Sequence, residues 1–304
     1  MTTQPNAMPN SSIDTRQTTP AAIPPLQTMY WCIRRELWEY RSIYIAPLIV
    51  AAVTLFGFLI ATIGRALSTS DLALRRAILE GPYSFAAALI MGTTFVVGIF
   101  YSLDALHGER RDRSILFWKS LPVSDLTTVL SKASIPLVVL PLLTFAIILA
   151  MQWIMVLLSS LALLGSGLSI ATLWTKSFLQ ASLMLLYHLL TVHALWYAPI
   201  FAWLLLVSAW ARRAAFLWAA IPVVAIGIIE KVAFNSSHFF GMLHYRLTGP
   251  QAYALGARGG DAMSPMATLA PGRFLMTPGL WIGLAVAALF LAAAVRLRRY
   301  QGPL

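Results

Sequence analysis

The sequence predicts an all-α, polytopic membrane protein, and three observations carry that prediction. Six apolar stretches run for about 18 residues or more, the length a helix needs to cross a hydrocarbon core of ~30 Å. Charged residues make up 11% of the 304-residue chain and hydrophobic residues 59%, against about a quarter charged in a soluble domain. Lys and Arg number 22 and Asp and Glu 11, a formal charge of +11, and the arginines cluster beside the apolar runs. In a polar chain such a balance would suggest nucleic acid. With a mean hydropathy of +0.75 it points instead to a bilayer, so membrane lipids are expected as partners and nucleic acid is not.

Residues 1–28 are rich in Thr, Pro and Ser, carry one cation, Arg16, and lack the apolar core of a signal peptide. They read as a disordered cytoplasmic tail ahead of a transmembrane domain over 29–300. Tyr30, Ile33, Leu37, Tyr40 and Tyr44 then recur at spacings of 3, 4, 3 and 4, with Arg34, Arg35, Glu36, Glu39 and Arg41 on the remaining surface. This is the pattern of an amphipathic helix lying in the interface, with Arg34, Arg35 and Trp38 as its interfacial residues. It serves either as an aromatic-belt anchor or as an elbow that also touches a cytosolic partner.

The six spans fall at about 43–64, 83–103, 133–159, 178–209, 214–234 and 278–295. The fourth has 32 residues, ~48 Å of helix, which exceeds the core and implies a tilted or interfacial turn with a kink at Pro199. An N-terminus on the cytoplasmic side puts 14 of the 22 cations inside and 8 outside, so both termini are expected in the cytoplasm. The segment 231–277 then lies outside, and its 47 residues contain the breakers Gly249-Pro250, Gly259-Gly260 and Pro271-Gly272. Short helices are expected between them at Met242 to Tyr245 and Ala252 to Leu255. The cytoplasmic loop 104–132 holds four of the eleven acids and five of the cations. Ile115, Leu116 and Trp118 stand among those charges as the apolar residues of a short helix that docks in a groove on another protein. Pro122 ends that helix, and Ser124-Asp125 caps the next one.

Chemistry-bearing groupings are few. Cys32 is the one cysteine, so neither an internal disulfide nor a CxxC metal site is possible. His188 and His193 are five apart, which on an α-helix sets them far apart around the axis; interhelical hydrogen bonding is the role assigned to them, and to Gln152. Met242, Met263, Met266 and Met276 read as apolar filler and no metal site is expected. Glu230 and Lys231 form an interfacial pair at the outer end of the fifth span. No GxxxxGK[ST] occurs and no Ser/His/Asp, HExxH or paired carboxylate grouping is present, so the chain is not expected to be an enzyme.

Glu109-Arg110-Arg111-Asp112-Arg113-Ser114-Ile115, then Leu121-Pro122-Val123-Ser124, then Lys132 entering a span, resembles the cytoplasmic loop of ABC-2 type permeases, the membrane subunits of one class of ABC exporters. The closing Phe274 to Trp281, a Gly/Ala-rich span and Arg296-Leu-Arg-Arg-Tyr300 are similar too, and the layout matches over 30–300. The resemblance implies a half-transporter of the bacterial inner membrane that pairs with a second permease, identical or paralogous. Two copies of a separate ATPase would bind ATP and Mg and engage the loop as a coupling helix. Glu109, Arg110, Arg111, Asp112, Ser114, Leu116 and Phe117 would meet the ATPase, with Leu121 and Pro122 fixing the turn. The second and fifth spans would line the path, which makes Thr93, Thr94, Tyr101 and Glu230 candidates for contact with cargo. The cargo itself is left open. Two other readings stand beside this one: a channel or secondary carrier that needs no ATPase, and a membrane anchor that recruits a cytosolic partner.

Overall fold

The computed structural model describes residues 24–66, 72–163, 182–183, 185–257 and 274–302, and the described chain is helical. Helix α1 (Pro25–Glu39) ends at Tyr40 and is followed by α2 (Ser42–Ala66) and α3 (Leu72–Asp104). Two short helices, α4 (His107–Arg111) and α5 (Ile115–Ser120), lead to α6 (Asp125–Ser134), a π turn (Ile135–Val139) and α7 (Leu140–Leu163). A second π turn (Leu189–Trp196) precedes α8 (Ala198–Trp210), α9 (Ala215–Phe234), α10 (His238–Ala257) and α11 (Pro278–Tyr300).

Five of these stretches are long and apolar enough to cross a membrane: Ser42–Ile60, Phe85–Arg111, Asp125–Leu161, Ala215–Phe234 and Pro278–Tyr300; the pair Leu185–Trp196 and Ala198–Trp210, bent by 45°, makes a sixth if counted as one span. Large apolar side chains such as Val53, Phe56, Phe100, Phe216, Ile229, Ile282 and Leu289 point outward from the bundle. Outward apolar residues with backbone groups paired inside helices are the mark of a membrane-embedded protein.

Several expected boundaries move. The N-terminal helix takes in 25–28, which the expected tail included; 1–23 lie outside the described residues. Helix α6 begins at Asp125, as the Ser124-Asp125 cap predicts, with Ser124 Oγ accepting from the Thr127 N–H at 3.0 Å, and it runs on into the third span. The π turn there contains Pro136, whose missing N–H breaks the i→i−4 ladder and lets it widen. Part of the fourth span, 178–181 and 184, lies outside the described residues. Its break sits at Tyr197, whose N–H reaches the Val192 carbonyl at 3.1 Å. Pro199 lacks the N–H that would bond Leu195, and its ring crowds that carbonyl, so the bend falls just before the proline.

The largest departure is in 231–277. One continuous helix, α10, replaces the two short ones, running through Gly249-Pro250 to Ala257; Gly259-Gly260 and Pro271-Gly272 lie outside the described residues. Asn235 sits in the left-handed region at φ 49°, a conformation Asn tolerates, and reverses the chain. Glu230 then caps the start of α10, accepting from the N–H groups of His238 at 2.7 Å and Phe239 at 2.8 Å and from Ser236 Oγ at 2.6 Å. It is a helix cap rather than half of an interfacial pair with Lys231. Phe240 lies over Gly227, so α9 and α10 form a close hairpin.

Small residues set the tightest approaches elsewhere. Ala198 and Ala202 of α8 meet Ala287 of α11, the packing by which membrane helices gain dispersion contact without a hydrophobic drive. Between α3 and α8, a Cβ on Gly98 would stand 2.9 Å from the buried Phe201 ring, whereas Gly57 faces open space. Gly98→Leu is therefore expected to destabilise the bundle by about 1–3 kcal/mol, and Gly57→Leu to leave it unchanged. Thermal melts of the purified protein in detergent check this, and equal midpoints for the two variants would show that α3 and α8 do not meet as described.

Candidate functional site

The functional candidates converge on one end of the bundle, where α1, the α4–α5 loop, the start of α6 and the last turn of α11 meet. Glu36, Glu109, Lys132 and Arg298 are each at most 6% exposed there. Lys132 Nζ donates to Glu36 Oε1 at 2.8 Å and lies 3.1 Å from Glu109 Oε1. Arg298 Nη1 donates to Glu109 Oε2, and its Nε lies 3.2 Å from Asp125 Oδ1. Tyr101 donates its hydroxyl to Glu36 Oε2 at 2.9 Å. Arg35 closes the rim, 2.7 Å from Glu39, 3.6 Å from Glu36 and 3.7 Å from Glu109. Two carboxylates and two cations thus neutralise one another out of contact with solvent.

Each side chain has a local reason for its place. Glu36 is three residues beyond Ile33 and four before Tyr40, so it falls on the same stripe as the apolar residues that pack inward; Ile33, Leu37 and Tyr40 all join the core. The expectation that Glu36 occupied the solvent side is corrected by that geometry. Lys132 rides on α6 between Val129 and Ala133, both buried, and Arg298 continues the buried face Leu280, Gly283, Ala287, Ala294 of α11. Nearby, Tyr40 stacks edge-on against Tyr101 with ring centroids 5.0 Å apart and donates to Asp104 at 3.1 Å. Burial and the Asp104 charge raise the Tyr40 hydroxyl above its ordinary range, so it stays a donor.

The loop residues expected to meet a partner separate into two sets. Glu109 belongs to the buried quartet, and Arg110 is buried as well. Its Nη1 donates to the carbonyls of Ala209 at 2.6 Å and Ala211 at 3.3 Å, with Nε 3.4 Å from the Gly302 carbonyl. Arg110 thus caps the carbonyl end of α8, where the helix dipole favours a cation. Neither side chain faces outward. Arg111 and Asp112 are exposed and paired at 3.1 Å, with Asp104 3.6 Å from Arg111. Ser114 bonds back to the Glu109 carbonyl at 3.4 Å, and Arg113 at φ 59° turns the chain between α4 and α5. Leu116 and Phe117 point outward at 58% and 61% exposure, while Ile115 is buried beneath them. Leu121 is half-buried in the turn and Pro122 exposed.

Helix α1 is joined to this loop. The Arg35 guanidinium stacks 3.8 Å above the Trp118 ring, and Arg34 lies between Trp31 at 5.2 Å and Trp38 at 4.8 Å. Of the residues expected along a cargo path, Tyr101 is committed to Glu36, and Thr94 accepts from Thr144 Oγ1 at 3.0 Å between α3 and α7. Thr93 bonds its own helix at the Leu89 carbonyl, 2.8 Å away, and Glu230 caps α10.

His188 and His193 are closer than an α-helix allows. The π turn bonds i to i+5, which returns residues five apart to one side of the axis, and the rings stand 5.8 Å apart, with Tyr197 5.4 Å beyond His193. The reading that they point apart is thereby corrected. The sequence held no sign of the π turn beyond Pro199 downstream.

Comparison of the chain with family models, curated proteins and solved structures gives no match, so the functional reading rests on this chain's own residues. Removing one member of a buried ion set leaves another charge without a partner, at a cost of about 3–5 kcal/mol. Lys132→Met is expected to lower the thermal midpoint steeply, and Glu36→Gln added to it to recover part of the loss, since Glu109 and Arg298 then balance. A double variant less stable than either single would refute the quartet as an energetic unit.

Proposed function

We propose that the chain is the permease subunit of an ABC-2 type exporter in the bacterial inner membrane, with both termini in the cytoplasm. It pairs with a second permease and is driven by a separate ATPase that supplies ATP and Mg chemistry. The observation that carries this reading is α5. In a polar loop, Leu116 and Phe117 face outward side by side, and such apolar anchors suit a groove on another protein. The same helix is backed by Trp118 under Arg35 and, through α4, by the buried quartet. A push on α5 by a closing ATPase pair therefore reaches α1, α6 and α11 together, and α6 continues directly into the third span. Alternating access follows if that push tilts the spans of two facing subunits. The charged residues of the motif act in this mechanism as the attachment of α5, and its apolar residues as the contact.

The bent fourth span favours a second reading. A broken helix with a His pair at the break is a feature of gradient-driven carriers, which place their sites where helices are interrupted. Flux in proteoliposomes separates the two, since a carrier moves cargo with no ATPase or ATP present.

Leu116→Asp with Phe117→Asp is expected to weaken association with the proposed partner ATPase about 30-fold, with the thermal midpoint of the permease unchanged. Undiminished association would overturn the role of α5. Cys32, the one cysteine, reports orientation: an impermeant maleimide is expected to label it from the ATPase side only. Burial and the Glu36 charge raise its thiol above the ordinary range, so labelling is slow near neutral pH and quickens as pH rises.

A further inference from the structure

The last turns of α11 carry three arginines, and the helix divides them. Arg298 turns inward to Glu109 and Asp125. Arg296 and Arg299, three residues apart on another side, are exposed and make no ion pair among the described residues. Between them, on the surface of α11 alone, lies a shallow open cleft of about 310 Å³, lined by Ala292, Val295, Arg296, Arg299 and Tyr300. Its walls hold two guanidinium groups and a phenol but no carboxylate. Arg296 is one helical turn beyond Ala292 and Arg299 one turn beyond Val295, so the polar end of the cleft continues into an apolar strip along the helix. On the loop side, Lys119 donates to the carbonyls of Gln301 at 2.9 Å and Arg299 at 3.4 Å. That ammonium satisfies the carbonyl end of α11.

We propose that this cleft binds the headgroup of an anionic phospholipid from the leaflet at the α5 end of the bundle. The ligand chemistry is a phosphate diester. Arg296 and Arg299 hold its oxygens with paired N–H donors, Tyr300 adds a hydroxyl at headgroup depth, and an acyl chain lies along Ala292 and Val295. Basic clefts of this kind at the ends of spanning helices recognise anionic headgroups. The strip favours a lipid over a free phosphate, which has no apolar part to bury. Lys119 belongs to the last turn of α5, so the end of α11 that carries the cleft is tied to the helix that the proposed function assigns to partner contact. The inference rests on α11 spanning a membrane and is independent of the ATPase reading.

Native mass spectrometry of the full chain released from micelles with equal phosphatidylglycerol and phosphatidylcholine tests it without a variant. Preferential retention of phosphatidylglycerol is expected, and equal retention of the two overturns the site. In thermal titrations, Arg296→Gln with Arg299→Gln is expected to weaken stabilisation by phosphatidylglycerol about 30-fold, at about fivefold per arginine. The matched control Arg213→Gln, which removes a cation from the exposed α8–α9 turn, is expected to keep it. Equal loss in the control would reduce the effect to general surface charge and overturn the proposal, as would equal stabilisation of the wild type by inorganic phosphate, which would make the ligand a soluble anion.

Discussion

Placing Glu36, Lys132, Glu109 and Arg298 in one solvent-free patch imposes a condition that the rest of the molecule has to meet. Each of these ions loses several kcal/mol of hydration on burial, and only close approach of the opposite charges offsets it. The four come from α1, α4, α6 and α11, which are far apart in sequence, so the offset is complete only when all four helices have arrived. The patch therefore acts as a test of assembly. It joins the first described helix to the last and sets residues 36 and 298 at the same end of the bundle. That arrangement requires an even number of crossings between α1 and the end of α11, which the bent fourth span satisfies when counted as one.

The same condition shapes the loop between the second and third spans. Glu109 and Arg110 are drawn inward, one by Lys132 and Arg298 and the other by the carbonyls that end α8. With those two side chains committed, α4 is fixed against the bundle, and the turn at Arg113 carries α5 outward. Leu116 and Phe117 are displayed because Ile115 and Trp118 are held from beneath. A charged sequence motif and an outward apolar pair are thus two sides of one device, with rigidity on the inner side and, on the proposed reading, recognition on the outer.

Much of the membrane layout is legible in the sequence because a run of 18 or more apolar residues has few other structural outcomes. The interfacial stripe Ile33, Leu37 and Tyr40 is legible as a period, yet the assignment of Glu36 to its polar side shows the limit of reading by residue type. Position 36 falls on the stripe, and only the presence of Lys132, 96 residues away, makes a carboxylate there affordable. Non-local neutralisation leaves no trace in a local window. Helix α10 was hidden for a different reason. Gly249-Pro250 reads as a breaker, but Pro interrupts a helix only by one missing N–H and one crowded carbonyl, which a helix can absorb. The π turn before Tyr197 was hidden because its side chains are ordinary helix formers and its cause lies in Pro199 beyond it.

The two ends of the bundle differ in what holds them, and that difference bears on where it deforms. At the α5 end, four helices share buried charges whose separation costs several kcal/mol apiece. At the other end, α10 is held against the fourth span by softer contacts. The Trp196 indole donates to the Arg246 carbonyl and the Tyr197 hydroxyl to that of Leu247, both at 2.8 Å, and the Arg246 guanidinium lies 4.3 Å above Trp196. Neutral hydrogen bonds and a cation–π contact are worth about 1 kcal/mol each. At that same end lies the break at Tyr197, where the α-helical ladder gives way to an i→i−5 bond from the Tyr197 N–H to the Val192 carbonyl. The His188–His193 pair and the seat of Arg246 on Gly279, whose carbonyl accepts from Nη1 at 3.2 Å, belong to this softer end, which costs less to rearrange than the charged one.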